Sequence, residues 1–518
     1  MTVATWIRRC AQRRPDALAY VDGERRVTFS QFNGRVNRHT NGLYAAGVKR
    51  GDRVATLMNN HIECVEAVGA AAKGGFVHVP VNFRSVPREI AYVVNHSGAT
   101  LLFVEKEYEA RLAAADEMPT LRKVIVVDPG NPESEYEKWL AQQDAAEPQM
   151  DVTGEDNFFI CYTSGATGTP KGVLHQQHQS VAHAPVVVTG YEFDESTKVL
   201  LVYPHNSIAS INMFYVPAWL IGCCVVFTDQ RNFNAERWLD LVERERITHS
   251  HLVPTMLFRV LESPCLQTSD TSSIVTIGYG SAPMPTERVE RLHQVFGNVL
   301  IQGYGMTEIS SIAAYLDKHD HLEGMKGDRA RLNSCGRATF GTELRVVDED
   351  GHDVEHGDIG EIVFRGPQMM TGYWNEPEKT AETIRNGWLH SGDMATMDER
   401  GYLTIVDRKK DLIISGGANI SSREVEEVLY WHPAVREASV IGKPDDEWGE
   451  LPHGFVSLHA GKRVTSDELV AFCRERLSGY KCPRTIDIVE DLPKNGLGKI
   501  LKADLRCRFW AGRNSKVN

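Results

Sequence analysis

The sequence predicts an α/β protein with a large N-terminal domain of βαβ subdomains plus a β-rich portion, followed by a small mobile α+β C-terminal domain. Three observations predict it. Short apolar runs alternate with helix-spaced stretches along most of the chain, as in buried parallel sheets. From about Gly341 the texture changes to short β segments separated by turns. From about Asp411 strands and helices mix again, over a length that suits a separate small domain. The domains are placed at 1–409 and 410–518.

Each element has its local reason. Phe29, Phe32, Val36, Leu43 and Ala46 recur at helical spacing over 28–46, and Gly47 stops the run. Val54 to Met58 follows as a strand. A helix over 62–73 ends at Gly74-Gly75, a strand covers 76–81, a helix 87–95 and a strand 101–104. Residues 129–156 read as a polar connector. The runs 199–203, 223–227, 274–277 and 299–301 are apolar and short, like buried strands. Strands are expected at 343–347 and 361–365. In the last section strands are expected at 439–441 and 454–458, and helices at 423–430 and 466–477.

The bulk numbers exclude several classes. A chain of 518 residues exceeds one ordinary domain. The formal charge of −12, from 69 acids against 57 bases, argues against nucleic acid as partner. No apolar stretch approaches the roughly 20 residues of a membrane span. The start, Met-Thr-Val-Ala-Thr-Trp-Ile-Arg-Arg, lacks the pattern of a secretory signal. Ten cysteines are scattered without a C-x-x-C, so reduced thiols and a cytoplasmic location are expected. The sequence leaves a homodimer open.

The chemistry is concentrated in five segments. After the apolar stretch 158–161 the chain reads Tyr162-Thr-Ser-Gly-Ala-Thr-Gly-Thr-Pro-Lys171-Gly172. Glycines turn backbone N–H groups around an anion, hydroxyls add donors, and the lysine adds a point charge. That suits a polyphosphate. It is not the P-loop of kinases, which needs Gly-x-x-x-x-Gly-Lys-Ser/Thr. Gln302-Gly303-Tyr304-Gly305-Met306-Thr307-Glu308 follows an apolar run and offers an aromatic, a hydroxyl and a carboxylate at a strand end. Then come Trp388-Leu389-His390-Ser391-Gly392-Asp393 and Asp407-Arg408-Lys409-Lys410-Asp411, with Ser415-Gly416-Gly417 close behind. Near the end stands Lys494-Asn495-Gly496-Leu497-Gly498-Lys499-Ile500.

In order and spacing these segments resemble the adenylate-forming superfamily of acyl-CoA synthetases, luciferases and peptide-synthetase adenylation domains. The resemblance covers nearly the whole chain and falls nearest the acyl-CoA synthetase branch. It implies ATP and AMP binding by Thr163, Ser164, Gly165, Thr167, Gly168, Lys171, Gly280, Ser281, Ala282, Gly303, Tyr304, Gly305, Met306, Thr307, Asp393, Ile405, Arg408 and Lys499. Within that set Tyr304 packs on adenine, Thr307 sits at phosphate, and Asp393 and Arg408 hold the ribose. Glu308 is implied as the Mg²⁺ ligand, and Lys171, Glu308 and Lys499 are implied as the catalytic residues. Lys410 is implied as the hinge between the domains. Ser415, Gly416, Gly417 and Trp448 would line the channel for coenzyme A.

The chain also departs from the family pattern. Lys410 stands where many acyl-CoA synthetases carry Asp. Ser421-Ser422 replaces the usual Tyr-Pro. A histidine usually three places after a proline appears as His205, directly after Pro204. The usual Gly-Gly or Gly-Ala is Gly278-Tyr279-Gly280-Ser281-Ala282. His205, Gly278, Tyr279 and Gly280 are the candidate acyl pocket. The small residues 278, 280 and 282 suggest room for a bulky hydrophobic tail.

The implied function is an AMP-forming acid–CoA ligase acting on a small-molecule carboxylic acid. Two alternatives stand beside it. A ligase that passes the acyl group to a carrier protein would carry an insertion before the small domain in its fatty-acyl form, and none is seen. A non-catalytic nucleotide-binding relative would not need Glu308 and Lys499.

Overall fold

The computed structural model describes residues 1–149, 151–163, 170–229, 231–282, 284–416, 418–445, 447–494 and 500–510. The expected alternation builds two large sheets. The nine-stranded sheet runs in the order Arg337–Ala338, Ala314–Leu316, Leu300–Tyr304, Thr276–Gly280, His249–Leu252, Lys198–Leu201, Cys224–Phe227, Leu18–Asp22, Arg25–Thr28. Its centre is parallel, and its edges are antiparallel. The seven-stranded sheet runs Gly372–Tyr373, Lys171–Gln176, Asn157–Thr163, Val77–Pro80, Arg53–Leu57, Ala99–Glu105, Lys123–Val127. One apolar cluster spans elements of both sheets, including Phe29, Phe32, Phe103, Phe158 and Trp219. It removes their inner faces from water, the main favourable term in folding.

A five-stranded sheet begins where the texture changes. Glu343–Val347, Gly360–Arg365 and Trp388–Met397 are neighbours in it, and Leu403–Arg408 pairs with the last of these. The smaller C-terminal unit has its own sheet of five strands. Its core holds Ile413, Val425, Leu429, Val440, Val456 and Leu469. A large N-terminal domain and a smaller C-terminal domain are therefore present, as expected.

Two expectations are revised. The connector contains the helix Glu135–Ala141, capped by Ser134 and anchored by buried Tyr136 and Leu140. The strand expected at 439–441 is far longer, Val435–Asp445, because it pairs antiparallel with Gly449–Leu458 almost to its end. Among the described residues no helix is long and apolar enough to cross a membrane.

Candidate active site

The first segment opens on paired strands. Thr163 ends one strand, Lys171 begins the next, and the two are register partners. Ser164, Gly165, Thr167 and Gly168 lie between them, outside the described residues. Lys171 Nζ sits 4.7 Å from the centre of the Tyr373 ring, a cation–π arrangement. The Tyr373 hydroxyl donates to Glu308 Oε1 at 2.9 Å. A lysine and a carboxylate thus meet on one aromatic ring. Burial pushes the Glu308 carboxyl up, against its own backbone N–H, the Tyr373 hydroxyl and the Lys171 charge.

The second segment reaches the same place from the neighbouring sheet. Gly303 and Tyr304 end the strand Leu300–Tyr304, and Thr307 and Glu308 sit in the short helical turn after it. His175 bonds to the Thr307 carbonyl at 2.9 Å, and the Met370 N–H donates to the Glu308 carbonyl at 2.8 Å. Ser310 and Ser311 follow with φ of 64° and 116°, a strained turn. The Ser311 carbonyl would lie 2.0 Å from any Cβ on residue 305, so only glycine fits there. Met306 packs against the apolar cluster under the five-stranded sheet.

The third and fourth segments pair with each other. Asp393 and Arg408 are register partners on adjacent antiparallel strands, so their side chains share a face. Arg408 Nε lies 3.2 Å from Asp393 Oδ1. The Tyr304 hydroxyl donates to Asp393 Oδ2 at 2.8 Å. Each carboxylate oxygen has two lone pairs, so Asp393 keeps acceptor capacity for further hydroxyls. Ile405 is on the Arg408 strand, and its side chain packs with the same cluster as Met306. Lys410 follows that strand and is exposed.

In the C-terminal unit, Gly416 adopts φ +57°. A Cβ there would come within 2.6 Å of the Trp448 ring. The Gly416 N–H donates to the Trp448 carbonyl at 2.8 Å, and buried Ser415 pairs with Gly449. Ser415, Gly416 and Trp448 therefore come together, with Trp448 43% exposed. Gly417 and Lys499 lie outside the described residues.

Comparison with known proteins decides the family. The AMP-binding enzyme family matches residues 7–374, and its C-terminal domain matches residues 424–499. The chain belongs to the AMP-binding enzyme family. It is 37% identical to a feruloyl-CoA synthase of Amycolatopsis sp over 507 residues, covering 98% of this chain and 99% of the relative. It is 33% identical to a long-chain-fatty-acid–CoA ligase of Mycobacterium tuberculosis, covering 98% of each. The structure of an anthranilate CoA ligase in complex with anthranoyl-AMP superposes with a TM-score of 0.90 at 26% identity, covering 98% of this chain and 97% of that one. This AMP-binding enzyme is an adenylate-forming acyl-CoA synthetase, an acid–thiol ligase that uses ATP and CoA.

The candidate acyl pocket of the AMP-binding enzyme needs correction. The open room expected at 278 and 280 is already filled. A Cβ on Gly278 would lie 2.4 Å from His251 and 2.6 Å from Tyr191, and one on Gly280 would lie 2.3 Å from the Gly303 carbonyl oxygen. These glycines let strands and side chains approach closely. Ser281, at φ 67°, turns the chain out of that strand with Ala282 behind it. Tyr279 points to the opposite face from its glycine neighbours; it is fully buried and bonds to His321 at 2.9 Å. His205 is buried too. It bonds to Thr56 at 3.2 Å and lies 5.1 Å from the His78 ring, which places it between the strand Arg53–Leu57 and the chain after Lys198–Leu201.

Sequence reasoning missed Tyr373 and His175. Tyr373 follows a glycine in a turn-rich stretch, an aromatic at a tight backbone, and that was the available signal. His175 gave none, because an isolated histidine inside an apolar strand reads as core.

Proposed function

We propose that this synthetase activates a hydrophobic carboxylic acid in two half-reactions served by two domains that meet at residues 409 and 410. In the first, a carboxylate oxygen attacks the α-phosphorus of ATP. The bond to pyrophosphate breaks, and an acyl-adenylate forms. In the second, the CoA sulfur attacks the acyl carbon, AMP leaves, and the thiol proton goes to solvent. Such chemistry is mostly positioning and charge neutralisation.

The observation that carries this reading is the meeting of Lys171 and Glu308 on the Tyr373 ring. Lys171 would face the β- and γ-phosphates, with Thr163 and the hydroxyls and glycines of 164–168 around them. Glu308 is a buried carboxylate, and among the described residues it makes no salt bridge. That donor fits a divalent cation, and Mg²⁺ held there would supply charge neutralisation. Asp393 and Arg408 would take the ribose, Tyr304 the adenine, and Gly303, Gly305, Thr307, Ser281 and Ile405 the remaining nucleotide surface. Lys499 would reach the carboxylate and α-phosphate. Ser415, Gly416, Gly417 and Trp448 would line the CoA route, and Lys410 would be the hinge.

Apolar side chains beyond Gly278 favour a hydrophobic acid. Val187, Phe193, Val199, Met213 and Phe214 line one cavity there. The free thiols among the described residues fit a cytoplasmic enzyme. The deciding experiment is pyrophosphate release across a panel of carboxylic acids, with CoA, without it, and with a phosphopantetheinyl carrier protein. Acid-dependent release, and thioester only with CoA, is expected. Release without any acid dependence would overturn the adenylation reading, and transfer only to the carrier would move the acceptor.

A further inference from the structure

The strand Trp388–Met397 is irregular where it carries Asp393. It pairs with Gly360–Arg365, with Glu361 opposite Met394 and Val363 opposite His390. Ser391, Gly392 and Asp393 therefore face the single residue Ile362. Such a bulge leaves backbone groups without ladder partners and re-aims a side chain. Gly392 turns there at φ 72°, a conformation that glycine adopts at little cost. The bulge sends Asp393 toward the Tyr304 hydroxyl and Arg408.

Other bonds stitch the bulge in place of the ladder. Ser391 Oγ donates to the Ile362 carbonyl at 2.7 Å, and the Asp393 N–H donates to Ser391 Oγ at 3.0 Å. The Lys409 N–H donates to the Gly392 carbonyl at 2.8 Å. The remaining stitch comes from a charged side chain. The Gly392 N–H, one residue before Asp393, donates to Glu361 Oε1 at 3.0 Å. A bond from a backbone N–H to a carboxylate is stronger than one between neutral groups. Glu361 is buried, and its Oε2 lies 3.3 Å from His390 Nδ1 and 4.0 Å from Lys409 Nζ. A buried carboxylate is costly to keep, and the groups around this one have no part in the chemistry described above.

We propose that Glu361 is a positioning residue for the nucleotide: by holding the Gly392 N–H it sets the bulge, and so aims the Asp393 carboxylate at the ribose hydroxyls. The proposal rests on the reading above that gives the ribose to Asp393. Glu361 needs no contact with ATP in this role. What it controls is the direction of Asp393. A carboxylate swung off line loses its bonds to the sugar and leaves the phosphates and adenine untouched. The effect of Glu361 is therefore confined to recognition of the ribose hydroxyls.

The test is the ratio of kcat/KM for ATP to that for 2′,3′-dideoxy-ATP, read by acid-dependent pyrophosphate release. Damage to folding or to phosphate binding cancels in that ratio, whereas loss of the ribose bonds does not. The unsubstituted enzyme should favour ATP by about tenfold or more, and Asp393→Ala should bring the ratio close to one. Glu361→Met keeps the side-chain length without an acceptor and should lower the ratio at least about fivefold. Glu361→Gln keeps an acceptor without the charge and should hold the ratio within about twofold. Glu361→Asp keeps the charge but draws the acceptor back by one carbon. It should behave like Glu361→Met, and it carries the test if thermal unfolding shows that the Met variant does not fold. A ratio unchanged in Glu361→Met and Glu361→Asp while it falls in Asp393→Ala would overturn the proposal. So would an equal fall in Glu361→Gln, which would trace the effect to the charge and not to the Gly392 bond. An unchanged ratio in Asp393→Ala would overturn the ribose reading itself, and the proposal with it, which separates the two failures.

Discussion

Opposite charges are treated in two opposite ways in this molecule. Around the Tyr373 ring, Lys171 and Glu308 approach but, among the described residues, form no salt bridge with each other. On the C-terminal side of the hinge the charges are paired off. Lys502 bonds to Glu426 at 2.8 Å, and Arg506 to Asp411 at 2.6 Å. Lys502 also donates to Ser422 Oγ, and Ser422 donates from both N and Oγ to the buried Asp407 carboxylate. Ser421 Oγ reaches the Val406 carbonyl, and Arg423 the Ile405 carbonyl. The difference teaches a rule for this chain. Charges left unneutralised in a buried place are held ready for a ligand, whereas charges neutralised by the protein away from the nucleotide site hold its parts together. Substituting the first kind should cost catalysis, and substituting the second should cost geometry or stability.

The largest expected effect is on the lysine near the C-terminus. Lys499→Ala should lower adenylate formation by about a thousandfold or more, yet still let a synthetic acyl-adenylate react with CoA. Lys410→Pro should do the reverse, slowing thioester formation about tenfold while sparing adenylation. Proline fixes φ near −65° and removes a donor at the proposed hinge. Separate assays of the two half-reactions read both variants. Equal losses in both steps for both variants would end the idea that one small domain serves two steps by rotating.

Next is the unneutralised carboxylate itself. Glu308→Gln keeps the shape and the Tyr373 hydrogen bond but removes the charge. Pyrophosphate release should drop by about a hundredfold, with ATP affinity changed less than about threefold. An unchanged rate at saturating Mg²⁺ would take Glu308 out of the metal role and weaken the comparison at its root.

Much of this was legible in the sequence because local composition suffices for it. The alternation of short apolar runs with helices foretold parallel strands, and the strand Glu343–Val347 has the expected bounds. Asp393 and Arg408 were chosen from separate segments, and the antiparallel register sets them side by side. What was not legible depends on distant partners. Tyr373 gains its place only when Gly372–Tyr373 pairs with Lys171–Gln176. The glycines at 278 and 280 read as open space, because the sequence does not show that His251, Tyr191 and the Gly303 carbonyl fill it. The helix Glu135–Ala141 was hidden by its polar surface, although Ser134 is its N-cap.

A smaller effect is expected at the hinge pairing. Ser422 is the first residue of the helix Ser422–Tyr430, a position where proline is well tolerated. Ser422→Pro therefore keeps the helix but removes both donors to Asp407. Leaving a buried carboxylate short of its partners costs about 1–3 kcal/mol. Local opening should rise about tenfold or more, and trypsin should cut faster after Arg408, Lys409 or Lys410 in proportion. A cleavage rate equal to that of the unsubstituted chain would show that these bonds do not hold the two parts together.

The smallest effect on catalysis, and the cleanest check of the rule, lies in a neutralised cluster far from the hinge. His61 bonds to Asp22 at 3.1 Å and lies 3.7 Å from Glu105. Asp22 and Glu63 are in turn paired with Arg25. Burial alone would lower the His61 pKa, but the bonds to Asp22 and Glu105 outweigh it and push it up to about 10. A group whose pKa is raised on folding gives stability that is full below its unfolded value, about 6.5, and lost as pH rises through the folded value. The stabilisation from His61 should therefore be complete at pH 6 and fade up to about pH 10. Thermal unfolding of the unsubstituted chain and of His61→Gln across that range reads it directly. Their Tm difference should be largest at pH 6 and shrink steadily above pH 7, while pyrophosphate release at pH 7.5 stays within about twofold. A Tm difference that is flat from pH 6 to 10 would mean that His61 carries no charge in the folded protein. A large loss of release with the fold intact would mean that neutralised charges here also serve chemistry, and the rule drawn from the two regions would fail.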